Sequence, residues 1–282
     1  MRDRHVAEIR ALDPEVDYLR IYQLTTLYEF PFDVFLALQM SFYRTYAIPS
    51  ISATLAKSGE IAARPIKRGE DTGLMVFEIV AHGFEHERSQ KVLRAMNAMH
   101  KKWDISQDEF RYVLGVFLVP PMRWLETYGY RKPLPQEYAA AHRFYRELGE
   151  RMGITGIPGS YAEFVDWFDA YERENLKPTV DGHTLLGASH RLFVNRFPAW
   201  LGFLGITLGN ALLDDVVRDA LGVTGPPAPV RWAIRGAFRL RGRVLRFFDA
   251  RPESAFTPGG VTPGYPEGYT LDRLGPPGPG VR

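Results

Sequence analysis

Ser89-Gln-Lys-Val-Leu-Arg-Ala-Met-Asn-Ala-Met-His-Lys-Lys-Trp103 sets Val92, Met96, His100 and Trp103 three and four residues apart, so all four share one face of a helix. That face is apolar except for its imidazole. A ring buried there needs partners for its nitrogens, because an unsatisfied buried polar group is costly. Upstream, Arg68 and Thr72 stand four apart and share a helical face in the same way. Two neighbouring helices thus offer a guanidinium, a hydroxyl and an imidazole. The set suits a cofactor that carries carboxylates and keeps an axial position open, and haem meets that description.

Working outward, helical periodicity continues from about Tyr18 to Ala250. Pro31 opens a helix through Tyr43, and Pro49 to Lys57 forms another that stops at Gly59. Asp71 to Ala81 carries Leu74, Val76, Phe77 and Val80 and breaks at Gly83. Ser106-Gln-Asp-Glu109 is a capping-box pattern that opens an apolar helix through Val119, where Pro120-Pro121 are expected to bend or interrupt it. Leu134 to Met152 reads as an amphipathic helix stopped by Gly153, and Ser160-Tyr-Ala-Glu163 caps a helix through about Glu174. Lys177–Phe193, Ala199–Leu221 and Arg231–Phe248 complete the set. Strand-like alternation is almost absent. The expected class is all-α, a single multi-helix globular domain over residues 1–250 with globin-like packing around a haem pocket. Residues 251–282, rich in Pro and Gly, read as a tail without regular structure that Tyr265, Tyr269 and Leu271 tie to the body.

Composition narrows the chemistry. The 282 residues include no cysteine, which excludes disulfides, thiolate-held zinc, iron–sulfur clusters and a thiolate-ligated haem. A net charge of +2 does not suggest bulk nucleic-acid binding. No apolar core follows the charged Met1-Arg-Asp-Arg-His5, so no signal peptide is expected and the location reads as cytoplasmic or peripheral to a membrane. The uncharged run Phe197–Leu213 is short for a membrane span and interrupted by Pro198 and several glycines, so it reads as buried core.

With these elements placed, the chain resembles the MpaB and rubber-oxygenase (latex clearing protein) family of haem-dependent oxygenases, and within it the MpaB branch. The matching stretches are Phe42-Tyr-Arg-Thr-Tyr-Ala-Ile-Pro-Ser-Ile-Ser52 and Arg94-Ala-Met-Asn-Ala-Met-His100. They continue with Pro121-Met-Arg-Trp124, Gly149-Glu-Arg-Met-Gly-Ile154, Ile157-Pro158 and Leu192-Phe-Val-Asn-Arg-Phe-Pro198. In the rubber oxygenases an Arg-x-x-x-Thr pair precedes the haem-ligating histidine by about thirty residues. Arg68-Gly-Glu-Asp-Thr72 and His100 match that pattern. The resemblance implies haem b held by iron on His100 as proximal ligand, with O2-dependent cleavage of a carbon–carbon double bond. It implies a hydrophobic, unsaturated, prenyl-like small molecule as substrate. Thr72 would lie on the distal side, Arg68 would hold a propionate or tune the pocket, and Met96 would pack on the porphyrin edge. Arg44 would line the same pocket, with helix packing an equal account of it. Two departures stand out. Asp71 occupies the place of a lysine that caps the iron in a closed rubber oxygenase, so an open or water-filled sixth position is expected. The glutamate base has no clear counterpart, Glu60 being the nearest carboxylate.

Other readings stay open at this point. The same haem could serve peroxidase- or peroxygenase-like turnover, or a non-catalytic sensor or carrier. Glu78, His82 and His86 recur at four-residue steps and would line one face for a non-haem metal on an unbroken helix, but Gly83 intervenes. Arg231–Phe248 interleaves arginines with aromatic and aliphatic residues, which suits either an anionic membrane surface or the solvated charged face of a packed terminal helix.

Overall fold

Proline starts and glycine stops set several of the helix ends. In the computed structural model, which describes residues 3–194 and 202–276, α1 covers Asp3–Ala11 and α2 covers Tyr18–Gln23. α2 runs directly into a π-helical turn, Leu24–Glu29. Then follow α3 (Pro31–Tyr46), α4 (Pro49–Ser58), α5 (Glu60–Ala63), α6 (Pro65–His82) and α7 (Glu87–His100). The second half comprises α8 (Gln107–Tyr128), α9 (Pro135–Arg151), α10 (Tyr161–Asn175), α11 (Val180–Val194), α12 (Gly202–Leu212), α13 (Asp215–Ala220) and α14 (Ala228–Leu245). The fold is all-α, with no strand among the described residues. Proline fixes the first turn of α3, α4, α6 and α9, where its missing N–H costs nothing. Gly83, at φ +77°, closes α6 in the left-handed region that L side chains avoid.

α8 is the axis of the bundle. α3, α9, α10 and α14 all pack on it, and its Tyr112, Leu118, Val119 and Leu125 are fully buried. Gly115 brings α10 close, since a Cβ there would lie 2.7 Å from the Phe168 ring and 2.8 Å from that of Phe164. Ser106 caps α8 in a complete capping box with Glu109. The interruption expected at Pro120-Pro121 does not occur, and α8 continues past Val119 to Tyr128. Two amide donors are lost there, but Pro121, Met122, Trp124 and Leu125 are all buried, and apolar burial outweighs the missing bonds.

Two further boundaries differ from expectation. The helix expected over 199–221 is two helices, α12 and α13, parted at Leu213 and Asp214. The buried Arg218 guanidinium takes up the freed carbonyl of Leu213, at 3.4 Å. At Ser160, Glu163 donates its amide to the serine hydroxyl but turns its carboxylate to the Gly159 N–H, so only half of that capping box forms. The His190 side chain, residues 195–201 and the side chains of the stretch 192–198 lie outside the described residues. No helix among the described residues is long and apolar enough to cross a membrane.

Beyond Leu245 the described residues lack regular structure apart from an isolated Thr262–Tyr265 bridge and a 3-10 turn at Leu271–Arg273. It is nevertheless bound to the body. Phe256 stacks on Phe77 of α6, with ring centroids 5.6 Å apart. Thr262 Oγ1 and the Gly264 N–H donate to Glu70 at 2.6 and 2.8 Å. Tyr265 and Tyr269 are buried, as their place in the sequence suggested. The segment is a strap over α6 and α7.

Candidate functional site

α6 and α7 form a hairpin whose last and first turns face each other across the loop at Gly83. On α7, Val92 and Met96 are buried, as the stripe predicts, but the helix ends at His100 and leaves Trp103, expected on the same face, in the turn that follows. His100 Nδ1 bonds the Met96 carbonyl, one helical turn back, at 2.8 Å. A carbonyl only accepts, so Nδ1 carries the proton and Nε2 of the neutral ring presents a lone pair. Burial lowers the His100 pKa below the ordinary imidazole value, and the nearby Arg68 charge lowers it further, against the opposing Met96 bond. The Phe110 ring of α8 meets the imidazole edge-on at 5.4 Å.

Arg68 completes the pairing from α6. One of its terminal nitrogens donates to Thr72 Oγ1, the one-turn contact that the spacing implies. Its guanidinium carbon lies 6.0 Å over the Phe42 ring, and its charge is felt by both His100 and Tyr46. It is half-buried and has no carboxylate partner among the described residues. Tyr46 is fully buried, hydrogen-bonded at 2.8 Å to Ser189 of α11, and pushed up to about 12 by burial, against the Ser189 bond and the Arg68 charge. Arg68 is thus tied to Thr72 and lies over Phe42, its charge is felt at His100 and Tyr46, and Phe110 meets the imidazole. Phe42 and Tyr46 carried an i,i+4 signal that was not read as part of the site. Phe110 carried none.

The donor set fits a haem. A neutral imidazole with one nitrogen tied to a carbonyl and the other free is a metal ligand with its ring already oriented. A half-buried guanidinium without a carboxylate suits a propionate. The Thr72 hydroxyl accepts from Arg68, which leaves its own proton to donate.

Other expected residues lie elsewhere. Arg44 faces away from this group, into a buried ion cluster: Nη1 holds Glu172 at 2.6 and 2.8 Å, Nη2 meets Asp214, and Tyr112 donates to Glu172 at 2.9 Å. Its terminal nitrogens are therefore committed to carboxylates that span α3, α10 and the start of α13. Met96 contributes its backbone carbonyl to the site. Glu60 is paired with Arg64 at 2.5 Å. Asp71 is buried against Lys67, at 2.8 Å, and the Tyr265 hydroxyl of the strap, on the side of α6 away from Thr72. The His82 and His86 rings lie 4.6 Å apart, tilted by 38°, but His82 Nδ1 bonds the Glu78 carbonyl at 2.9 Å and His86 caps α7. Glu78 is held by Arg88 and Tyr269. No three-residue metal cluster occurs among the described residues.

Comparison with known proteins identifies the family. Residues 31–247 match the family model described as ER-bound oxygenase mpaB/B'/rubber oxygenase, catalytic domain. The chain is 24% identical over 239 residues to ER-bound oxygenase mpaB' of Penicillium brevicompactum, covering 78% of this chain and 56% of that protein. It is 27% identical over 229 residues to ER-bound oxygenase mpaB of the same organism, covering 73% and 57%. With ER-bound oxygenase mpaB of Penicillium roqueforti (strain FM164) it shares 24% over 220 residues, 72% of this chain and 74% of the relative. It therefore spans little more than half the length of the two Penicillium brevicompactum proteins. From α3 to the end of α14, the matched region carries every residue of the Arg68–Thr72–His100 group, and the chain belongs to the mpaB/B' and rubber oxygenase catalytic-domain family.

Proposed function

We propose that this chain is a haem b-dependent oxygenase that uses O2 to cleave or oxidise a carbon–carbon double bond in a hydrophobic, prenyl-like substrate. Nε2 of His100 would hold the iron, and the Met96 carbonyl keeps the ring oriented and basic. When bound, the haem supplies binding and activation of O2. Arg68 would pair with a haem propionate, and it holds the Thr72 hydroxyl, whose remaining proton is available to donate. Phe42, Tyr46 and Phe110 exclude water from this region and favour an apolar chain over a polar one. The oxygenase names of the family and of its Penicillium members support oxygen chemistry at this site. The observation that carries the reading is the His100 ring: Nδ1 is tied to Met96, which leaves Nε2 with its lone pair, and the ring feels the charge of Arg68, a guanidinium with no carboxylate partner among the described residues.

Hemin titration of the purified protein, read in the Soret region, tests it with His100→Ala and Arg68→Gln alongside. A Soret band in the wild type that collapses or shifts in His100→Ala is expected, with weaker hemin retention in Arg68→Gln. Unsaturated isoprenoids under O2 are then assayed for carbonyl or epoxide products. A wild-type protein that stays colourless with hemin would refute the cofactor. A haem-loaded protein without turnover of any unsaturated substrate would make it a haem carrier or sensor.

A further inference from the structure

α14 lies on the outside of the bundle and uses only one of its faces for packing. On that face Phe238 meets Trp124 and Tyr128 of α8 edge-on, at 5.5 and 5.9 Å. Gly242 is so close to the end of α8 that a Cβ would stand 2.5 Å from the Tyr128 carbonyl oxygen. Arg235 and Arg241 also turn inward, to the carbonyls of Ala211 and Leu213 and to the Asp33 carboxylate. The opposite face was expected to be either solvated and charged or membrane-binding. It is largely apolar: Trp232 is 75% exposed, Leu240 59% and Val244 44%, with Phe247 just beyond the helix at 89%. At 100° per residue these side chains fall along one stripe, and Ala233, Gly236 and Ala237 fall among them. Arg239 and Arg243 line the Trp232 edge of the stripe, both exposed and without a carboxylate partner among the described residues. No Asp or Glu occurs anywhere from Ala220 to Phe248, a span that holds six arginines.

We propose that this face of α14 docks onto an anionic phospholipid surface. The Trp232–Leu240–Val244–Phe247 stripe enters the boundary between headgroups and acyl chains, and Arg239 and Arg243 reach the lipid phosphates. Charge complementarity favours this occupant. A second copy of the chain, in a two-fold contact, would set the same arginines against each other with no acidic residue in the stripe to pair them. An anionic bilayer supplies the missing negative charge over the whole length of the helix, and Trp and Phe beside Arg suit headgroup depth. The inference does not depend on the haem.

Co-sedimentation of the full-length protein with vesicles tests it. One set is phosphatidylcholine alone and the other is equimolar phosphatidylcholine and phosphatidylserine. Binding is expected to the phosphatidylserine vesicles and to be much weaker on phosphatidylcholine alone. Arg239→Gln with Arg243→Gln should reduce the partition coefficient roughly thirtyfold, about fivefold for each charge near the surface. Trp232→Ser with Phe247→Ser should reduce it at least about tenfold through lost apolar insertion. All four positions are exposed, so both variants should keep the wild-type circular dichroism melt, which is recorded in parallel. A folded wild type that fails to bind phosphatidylserine vesicles overturns the proposal, as does equal binding by the variants or by both vesicle types. Self-association in the ultracentrifuge that Trp232→Ser abolishes, without vesicle binding, would give the face to a second copy instead.

Discussion

Tyr269→Phe removes one hydroxyl from the strap and leaves its ring in place. In the native protein that hydroxyl donates to Glu78 Oε1 at 2.7 Å, and the Glu78 side chain is completely inaccessible to solvent. Arg88 holds the same carboxylate through two bonds of 2.6 and 2.8 Å. Hydrogen bonds to charged groups are worth about 1.5–3 kcal/mol. Because Arg88 stays, the lower half of that range applies, and a loss of about 2 kcal/mol is expected. For a chain of this size that is a fall in Tm of roughly 4–8 °C, read by far-UV circular dichroism at neutral pH. The pH dependence provides a second check. Burial raises the Glu78 pKa, but the Arg88 and Tyr269 bonds outweigh it, so the folded value lies below that of a free carboxyl. Such a group stabilises the fold above its unfolded pKa of about 4.3 and loses that contribution as pH falls through the lower folded value. Without the hydroxyl the folded pKa moves back up, so the gap between variant and wild type should be widest near neutrality and close below about pH 4. A variant with the wild-type Tm at neutral pH would refute docking of the strap through this bond. A gap that persists undiminished in acid would show that the charge on Glu78 is not its source.

Three further outcomes follow from the same reasoning. Arg44→Met strands Glu172 in the core and should cost about 3–5 kcal/mol in urea unfolding, yet leave the Soret response of the folded fraction to hemin unchanged, since Arg44 is turned from His100. Because burial and Arg68 hold the His100 pKa down, the folded ring stays neutral below about 6.5, where the unfolded one protonates. Hemin affinity should therefore stay flat from about pH 8 through about pH 6.5, and His100 should begin to oppose folding only below that range. Gly242→Val drives a side chain into the Tyr128 and Gly129 carbonyls and should cost about 1–3 kcal/mol, with a red shift in tryptophan emission as Phe238 draws away from Trp124.

Features of this fold that depend on residues close together in the chain were legible in the sequence. The starts at Pro31 and Pro49, the stops at Gly59 and Gly83 and the cap at Ser106 all rest on groups within one turn, and the structure has them. The interruption expected at Pro120-Pro121 does not occur, because the loss of two N–H donors is a local cost, whereas the burial that offsets it comes from helices distant in sequence. The exposed stripe of α14 failed in the opposite sense. Its arginines dominate the sequence, but two of them are spent inward on Asp33 and on the carbonyls near α12, and the aromatic residues are left outside.

Asp71 shows where local reading of the site ends. Its neighbour Thr72 faces Arg68, and consecutive helical residues point about 100° apart, so Asp71 must leave the site whatever chemistry its position suggests. Its first partner, Lys67, is one turn away and could have been read from the i,i+4 rule. Its second, the Tyr265 hydroxyl, comes from 194 residues further along, and that hydroxyl also lies 2.9 Å from the Arg273 carbonyl. One proton serves at most one of these acceptors, and a carboxylate in a buried setting is the stronger. The carboxylate beside Thr72 is therefore part of the clamp that fastens the strap to α6. Lys67 adds a bond of 2.7 Å to the Gly275 carbonyl, and Gly275 is packed against Met99, next to His100. The strap, which has almost no secondary structure of its own among the described residues, thus reaches the helix turn that presents the imidazole. Loosening it at Tyr265 should disturb His100 through Met99 before it disturbs Arg68 or Thr72, which are held to each other within a single turn of α6.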